Sequence, residues 1–306
     1  MKDKTQKISI VVSAYNEEKF IADCLKSARS VADEIILVDN TSDDKTADIA
    51  KKLADITLTR ANNPVMLNIN KNFGFAKASG DWIISLDADE RITPQLAAEI
   101  KKAVKTSEFN GYEIPRKNII FGKWIEHSIW WPDYNLRLFR RGLGKFAEKH
   151  VHEKLEVKGN VGKLENPIVH YNYQTVSQFI RKLDKTYSES EVENFLKSGK
   201  HINWYDAIRW PISDFLKTFF LEKGYKDGLH GLVLSQLQAF YALIYFAKVW
   251  ERKENFKDLT PPNFYKELLL EFQKSAKEIR YWIYETLMEI NPKLKLIYKI
   301  KRKVNR

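Results

Sequence analysis

The chain has 306 residues, 44% of them hydrophobic and 30% charged, which allows one large domain or one domain with an appendage. That density of charge excludes a multi-span membrane protein. With a single cysteine, Cys24, no intramolecular disulfide can form, which fits a reducing cytoplasm.

The net charge of +11 suits nucleic acid, an anionic membrane or a phosphorylated substrate. The stretch from Pro292 to Arg306 holds seven Lys and Arg and no acid, so part of the excess belongs to the tail. No zinc-finger spacing or RNA-binding sheet motif accompanies it, and no nucleic-acid partner is expected. The opening MKDKTQK lacks the apolar stretch of a signal peptide, which argues against export.

In chain order, Ile8 to Ala14 (ISIVVSA) is a β-branched apolar run and predicts a buried strand. Helical spacing over 17–30 predicts a helix carrying Phe20, Ile21, Cys24, Leu25 and Ala28. A second strand spans Ile35 to Val38 and ends in Asp39. Ser42, Asp43 and Asp44 offer caps for a helix over 45–53. Ile56 to Leu58 predicts a third strand, 66–79 a helix, and Trp82 to Leu86 a fourth strand that ends in Asp87-Ala88-Asp89. Thr93-Pro94 predicts a further helix start. Strand–helix alternation implies a parallel α/β sheet, whose ligands collect at the carboxyl ends of its strands. Tyr15-Asn16-Glu17, Asp39 and Asp87 all fall at such ends. From about 110 to 170 the pattern is strand-like and irregular; from 175 onward it is helical. This predicts a catalytic domain over 1–174 and a helical region over 175–306.

Asp87-x-Asp89 offers two carboxylates that can share one hard cation. Mg²⁺ or Mn²⁺ would take such oxygens together with substrate phosphates. Asp39 can accept hydrogen bonds from a nucleobase imide or a ribose hydroxyl; its bland role is an Asx turn. Arg137, Arg140 and Arg141 bracket an apolar strand, Arg137 and Arg141 on one face, and one of them could contact a diphosphate. His150 and His152 share a strand face, and His152 could orient phosphate or metal.

The segments SAYNEE (13–18), VDNTSDDKT (38–46), KNFGFAKASGDWI (71–83) and SLDADE (85–90) resemble, in order and spacing, the family 2 glycosyltransferases of the GT-A fold. NLRLFRR (135–141), HVHEKL (150–155), IVHYNY (168–173) and YKDGLHGL (225–232) resemble a bacterial subgroup that includes enzymes of the lipopolysaccharide inner core. The resemblance implies a GT-A mixed sheet flanked by helices, with a helical C-terminal appendage. It implies transfer with inversion from a nucleotide-sugar donor, a UDP-sugar being favoured, to a glycan or glycolipid hydroxyl of the cell envelope. Ala14, Tyr15 and Glu17 would line the nucleotide pocket, Asp39 would bind the base, and Asn72 would serve the donor. Asp87 would sit near ribose and metal, and Asp89 would ligate the metal. Glu153 is the first choice as base for the acceptor hydroxyl, and Asp133 the second. Asn40-Thr41 stands where Asp/Gly-Ser is commoner, and Lys71-Asn72 replaces Arg-Asn, which leaves the base preference open. A polyprenyl-phosphate glycosyltransferase, needing no base, and an inactive nucleotide-binding membrane scaffold are the competing readings.

Gly228 to Ala247 lacks Lys, Arg, Asp and Glu, yet His230, Ser235, Gln236 and Gln238 are scattered around it and argue against spanning a bilayer. In the tail, Leu296, Ile297, Ile300 and Val304 fall on one helical face, and Lys295, Lys299, Arg302, Lys303 and Arg306 fall opposite. This predicts an interfacial helix on an anionic membrane surface, at the cytoplasmic face of the inner membrane.

Overall fold

The computed structural model describes residues 6–63, 68–106, 108–147, 154–184 and 188–304. Two compact units divide the chain, one of residues 1–124 with 130–174 and the other of residues 125–129 with 175–306.

The elements of the first unit are β1 (Ile8–Ala14), α1 (Ile21–Ala28), β2 (Glu34–Asp39), α2 (Thr46–Leu53), β3 (Ile56–Thr59), α3 (Asn68–Lys77), β4 (Trp82–Asp87), β5 (Glu90–Ile92) and α4 (Pro94–Ala103). They continue with β6 (Gly111–Ile120), β7 (Lys123–Trp124), β8 (Asp133–Arg140), β9 (Gly144–Lys145), β10 (Glu156–Val157), β11 (Val161–Lys163) and β12 (Ile168–Tyr173). The main sheet has the order β3-β2-β1-β4-β8-β6-β12-β5, with β7 and β11 also pairing with β6. β1 to β4 are parallel, as the alternation predicts. The sheet as a whole is mixed, because β8 runs antiparallel to both β4 and β6 and β5 antiparallel to β12. Composition could not foresee this. No α-helix intervenes between β6 and β8, and without a crossover the chain returns in the opposite direction.

The apolar strands bury both faces, and their period of two sorts their side chains into two cores. Ile10 and Val12 of β1, Ile35 and Leu37 of β2, and Ile84 and Leu86 of β4 face one core, covered by α1 and α4. Val11, Ile36 and Ile83, of the opposite parity along their strands, face the other core with Phe75 and Ala78. α4 starts where Thr93-Pro94 predicts, with Thr93 Oγ1 accepting from Leu96 N–H at 3.2 Å. α1 begins later than the apolar spacing suggests, because Glu17 to Lys19 are used in a turn ahead of it.

The second unit consists of α5 (Val176–Lys182), α6 (Ser188–Lys197), α7 (Asp206–Phe215), α8 (Leu229–Glu254), α9 (Phe264–Ile290) and α10 (Lys295–Val304). Its core is aromatic: Trp210 of α7 stacks on Tyr245 of α8 at 5.3 Å and meets Phe195 of α6 edge-on at 6.0 Å. Lys248 Nζ ties α8 to α6 through Ser188 Oγ at 2.9 Å and Glu189 Oε1 at 2.8 Å. Arg209 of α7 grips Glu271 of α9 with two bonds of 2.8 and 2.9 Å, and with Lys274 holds that carboxyl down near about 2. α8 is long and apolar enough to cross a membrane by length and composition, with 28% of its apolar window buried. α10 packs on α9 through Tyr298 and Arg302. The position predicted for Arg302 on the outer basic face is corrected, since it pairs with Glu285 and lies 5.2 Å from the Tyr281 ring. Leu296, Ile297 and Ile300 face outward, 71, 50 and 55% exposed.

One glycine of YKDGLHGL, Gly231, has a packing reason. The first turn of α8 lies so close to the preceding 3₁₀ turn that a Cβ on Gly231 would be 1.8 Å from the Gly224 carbonyl oxygen. Because the obstacle is backbone, relief requires the turn to move. Gly231→Ala is therefore expected to destabilise the helical unit by about 1–3 kcal/mol, read as a lower urea midpoint by circular dichroism. An unchanged midpoint would show that the turn yields freely.

Candidate active site

Strand register brings the predicted clusters to one edge. β1 ends with Ser13 beside Asp87 on one side and Ala14 beside Asp39 on the other. The loops after β1 and β2 are laced together by side chains. Asn16 N–H donates to Ser42 Oγ at 3.0 Å, Asp43 N–H to Asn16 Oδ1 at 2.8 Å, Glu17 N–H to Thr46 Oγ1 at 2.7 Å, and Glu18 N–H to Asp44 Oδ2 at 3.0 Å. Tyr15 is 41% exposed above them, with its hydroxyl 3.4 Å from Asp43. Thr41 takes a left-handed φ of 58°, a conformation that β-branched residues avoid and that a glycine would adopt without strain. Asn40, beside it, is buried and bonded to Ser13 and to Asn70 Nδ2 at 2.7 Å.

Asp39 is 3% exposed and its two oxygens behave differently. Oδ2 accepts from Ser42 N–H at 3.2 Å, the Asx-turn role. Oδ1 is buried with no hydrogen-bond partner, and a buried acceptor left so is costly unless a ligand completes it.

At the end of β4 a charge network replaces the open carboxylate that the sequence suggests. Asp87 Oδ1 accepts from Lys71 Nζ at 2.6 Å and Oδ2 from Arg137 at 2.6 Å. Arg137 also reaches Glu90 Oε1 at 2.6 Å, while Glu90 Oε2 accepts from Asp87 N–H at 2.9 Å. Burial alone would raise Asp87, but Arg137 and Lys71 outweigh it and hold the carboxyl well below the usual range. Glu90, fully buried, is pushed up by desolvation against the pull of Arg137. Arg137 was expected to reach a diphosphate; it is corrected to an inward role, 6% exposed and committed to two carboxylates. Asp87, expected as a metal ligand, has both oxygens occupied by cations.

Asp89 faces a residue for which the motifs predict no role. His170 Nε2 of β12 lies 3.5 Å from Asp89 Oδ2, and its Nδ1 is 2.7 Å from Oδ1 of the buried Asn118. β12 is delivered there by its pairing with β5 and β6, with His170 in register with Glu90 and Asn118. His170 lies within IVHYNY, but it sits 81 positions from Asp89, and parity along a strand does not tell which strands will flank it. Among the described residues no group of three or more His, Cys, Asp and Glu side chains gathers as a metal cage. A Mg²⁺ or Mn²⁺ site that keeps waters and substrate phosphates needs no such cage, and two protein ligands suit it.

The other expected residues are placed as follows. The Ala14 carbonyl accepts from Asn40 N–H at 2.8 Å, and Glu17 stands in the turn before α1. Asn72 is used structurally, its amide clamping both backbone groups of Phe146 at 2.9 Å. Asp133 is fully engaged: Oδ2 by Arg116 at 2.6 Å and by Asn118 at 3.3 Å, Oδ1 by Asn135 at 2.9 Å. Glu153, His150 and His152 lie outside the described residues.

Removing the buried guanidinium would leave the fully buried Glu90 without its nearest cation, beside an Asp87 held by Lys71 alone. Arg137→Met is expected to destabilise the protein by about 3–5 kcal/mol, and Glu90→Gln added to it to restore part of the loss. Chemical unfolding of the three proteins measures this. A single variant as stable as the parent would show the network to be dispensable.

Residues 9–155 match the sequence family described as Glycosyl transferase family 2. The lipopolysaccharide core biosynthesis glycosyltransferase LpsC of Rhizobium meliloti is 28% identical over 80% of this chain and 92% of its own length. An undecaprenyl-phosphate 4-deoxy-4-formamido-L-arabinose transferase of Proteus mirabilis is 33% identical over 37% of this chain and 36% of its own. Among solved structures, residues 1–349 of S. aureus TarS in complex with UDP-GlcNAc align at 15% identity with a TM-score of 0.44, over 98% of this chain and 89% of that one. The chain thus carries, over residues 9–155, a family 2 glycosyltransferase domain.

Proposed function

We propose that this glycosyltransferase moves a sugar, with inversion, from a nucleotide-sugar donor to a hydroxyl of a cell-envelope glycan or lipid-linked acceptor. The observation that carries the reading is the unsatisfied, buried Asp39 Oδ1 on the same sheet edge as the Asp89–His170 pair. Asp39 Oδ1 would accept from the nucleobase or ribose, and the exposed Tyr15 ring would cover the base. UDP-sugars are the favoured donors. Asp89 and His170 would hold Mg²⁺ or Mn²⁺, which when bound supplies positive charge against a diphosphate leaving group. Lys71 and Arg137 fix Asp87, and through its N–H to Glu90 they fix the turn that presents Asp89. For the acceptor proton, Asp133 is a weak candidate because Arg116, Asn118 and Asn135 take its lone pairs, so Glu153 retains the role. The core-biosynthesis relative supports a lipopolysaccharide-type acceptor. The undecaprenyl-phosphate relative supports the second reading, transfer to a polyprenyl phosphate, for which no base is needed.

The fitting experiment is a thermal-shift panel of UDP-, GDP-, ADP- and CMP-sugars with and without Mn²⁺, since a ligand of the native state raises its stability. A UDP-sugar with Mn²⁺ is expected to give the largest shift, Asp39→Asn to lose it, and His170→Gln to lose its metal-dependent part. No shift from any donor would sink the reading. Glu153→Gln is expected to lower turnover about 10²–10⁴-fold with donor binding retained. Undiminished turnover would move the acceptor to a phosphate.

The same reading places the enzyme at an anionic membrane surface, on the cytoplasmic face of the inner membrane. α10 supports this by presenting outward Leu296, Ile297 and Ile300 beside exposed Lys295, Lys299, Lys301 and Lys303. Deleting residues 293–306 is expected to weaken binding to phosphatidylglycerol vesicles, and high salt to do the same for the full chain. Equal binding to neutral vesicles would remove the electrostatic part.

A further inference from the structure

We infer that Asn118 is a positioning residue that sets the tautomer of His170, leaving a bare Nε2 turned toward Asp89. Only the purpose of this arrangement rests on the metal reading above; the geometry does not.

Asn118 is wholly buried on β6, in register with His170 of β12. One end of its amide lies 2.8 Å from the Trp130 carbonyl oxygen and 3.3 Å from Asp133 Oδ2. The carbonyl can only accept. Asp133 Oδ2 also takes Arg116 Nε at 2.8 Å, so it is an acceptor as well. The end of Asn118 that faces them must therefore be its NH₂, whichever way an amide is first drawn. Its other end is then a carbonyl oxygen, which cannot donate. That oxygen is 2.7 Å from His170 Nδ1, so Nδ1 must carry the hydrogen. A neutral imidazole has one N–H, which leaves Nε2 with its lone pair exposed. This lone pair points at Asp89 Oδ2 from 3.5 Å. Two acceptors facing at that distance invite a cation between them, and a second partner that sets the tautomer is what a ligating histidine requires. Because the same NH₂ also holds Trp130 and Asp133, the histidine's orientation is tied to the segment that leads into β8.

The test begins with unmodified, metal-free protein in mildly alkaline buffer. Long-range ¹⁵N–¹H spectra of the imidazoles, with His170 assigned by the loss of its signals in His170→Gln, are expected to show Nδ1 protonated and Nε2 bare. An Nε2–H form would overturn the inference, and this reading needs no variant to fold. Asn118→Leu, which removes the acceptor, is expected to mix the tautomers and to weaken Mn²⁺ binding, followed by electron paramagnetic resonance, about 10–100-fold. Asn118→Asp keeps an acceptor and is expected to keep the tautomer. Retention of a pure Nδ1–H form in Asn118→Leu would also overturn the inference. A parent protein with the Nδ1–H form that takes up no Mn²⁺ would instead sink the metal reading and leave the role of Asn118 standing.

Discussion

The site is organised around one guanidinium. Arg137 sits between Asp87 and Glu90, two carboxylates three positions apart on either side of a strand break, and its charge offsets the burial of both. The network does three jobs. It joins β8 to β4 and β5 through side chains as well as through the ladder. It lets Glu90 cap the Asp87 N–H, which shapes the turn bearing Asp89. With Lys71 it neutralises Asp87, the first carboxylate of the motif. A DxD pair is easily pictured as two equivalent ligands; here its first member is a keystone held by cations and its second faces a histidine.

Much of the first unit was legible because local rules agree with the global fold. The apolar runs of β1, β2 and β4 predict buried strands, and Thr93-Pro94 marks the start of α4. The strand ends carrying Tyr15, Asp39 and Asp87 do converge. The reversal at β8 was not legible in composition, because pairing direction depends on what lies between strands; the family resemblance alone implied a mixed sheet. Arg137 was misread for a related reason: an arginine beside an apolar strand looks the same whether it points to solvent or into a buried carboxylate pair. His170 was missed because its meaning comes from the register of β12 against β5 and β6. Asp39 was read as either an Asx-turn or a ligand-binding carboxylate; one oxygen takes the Asx-turn role, and the other is buried without a hydrogen-bond partner.

The helical unit follows different physics. Its interior relies on stacked and edge-on aromatics with charged ties at the rim, such as Lys248 to α6 and Arg209 to Glu271. In sequence these appear only as an aromatic-rich helical stretch. Arg302 illustrates the limit of a helical wheel, which sorts residues by angle and cannot know that Glu285 and Tyr281 await one of the basic residues.

The loops after β1 and β2 exchange backbone donors for side-chain acceptors in both directions, through Asn16, Glu18, Ser42, Asp44 and Thr46. Neither loop closes its hydrogen bonds alone. Evolution at this edge therefore faces epistasis: a substitution at Ser42 or Asp44 also changes the support of the loop that carries Tyr15. Libraries that vary one loop on a fixed partner would sample mostly unsupported backbones, whereas exchanging 15–18 and 40–46 together, as one recombination block, would preserve the lacing while the exposed surface changes.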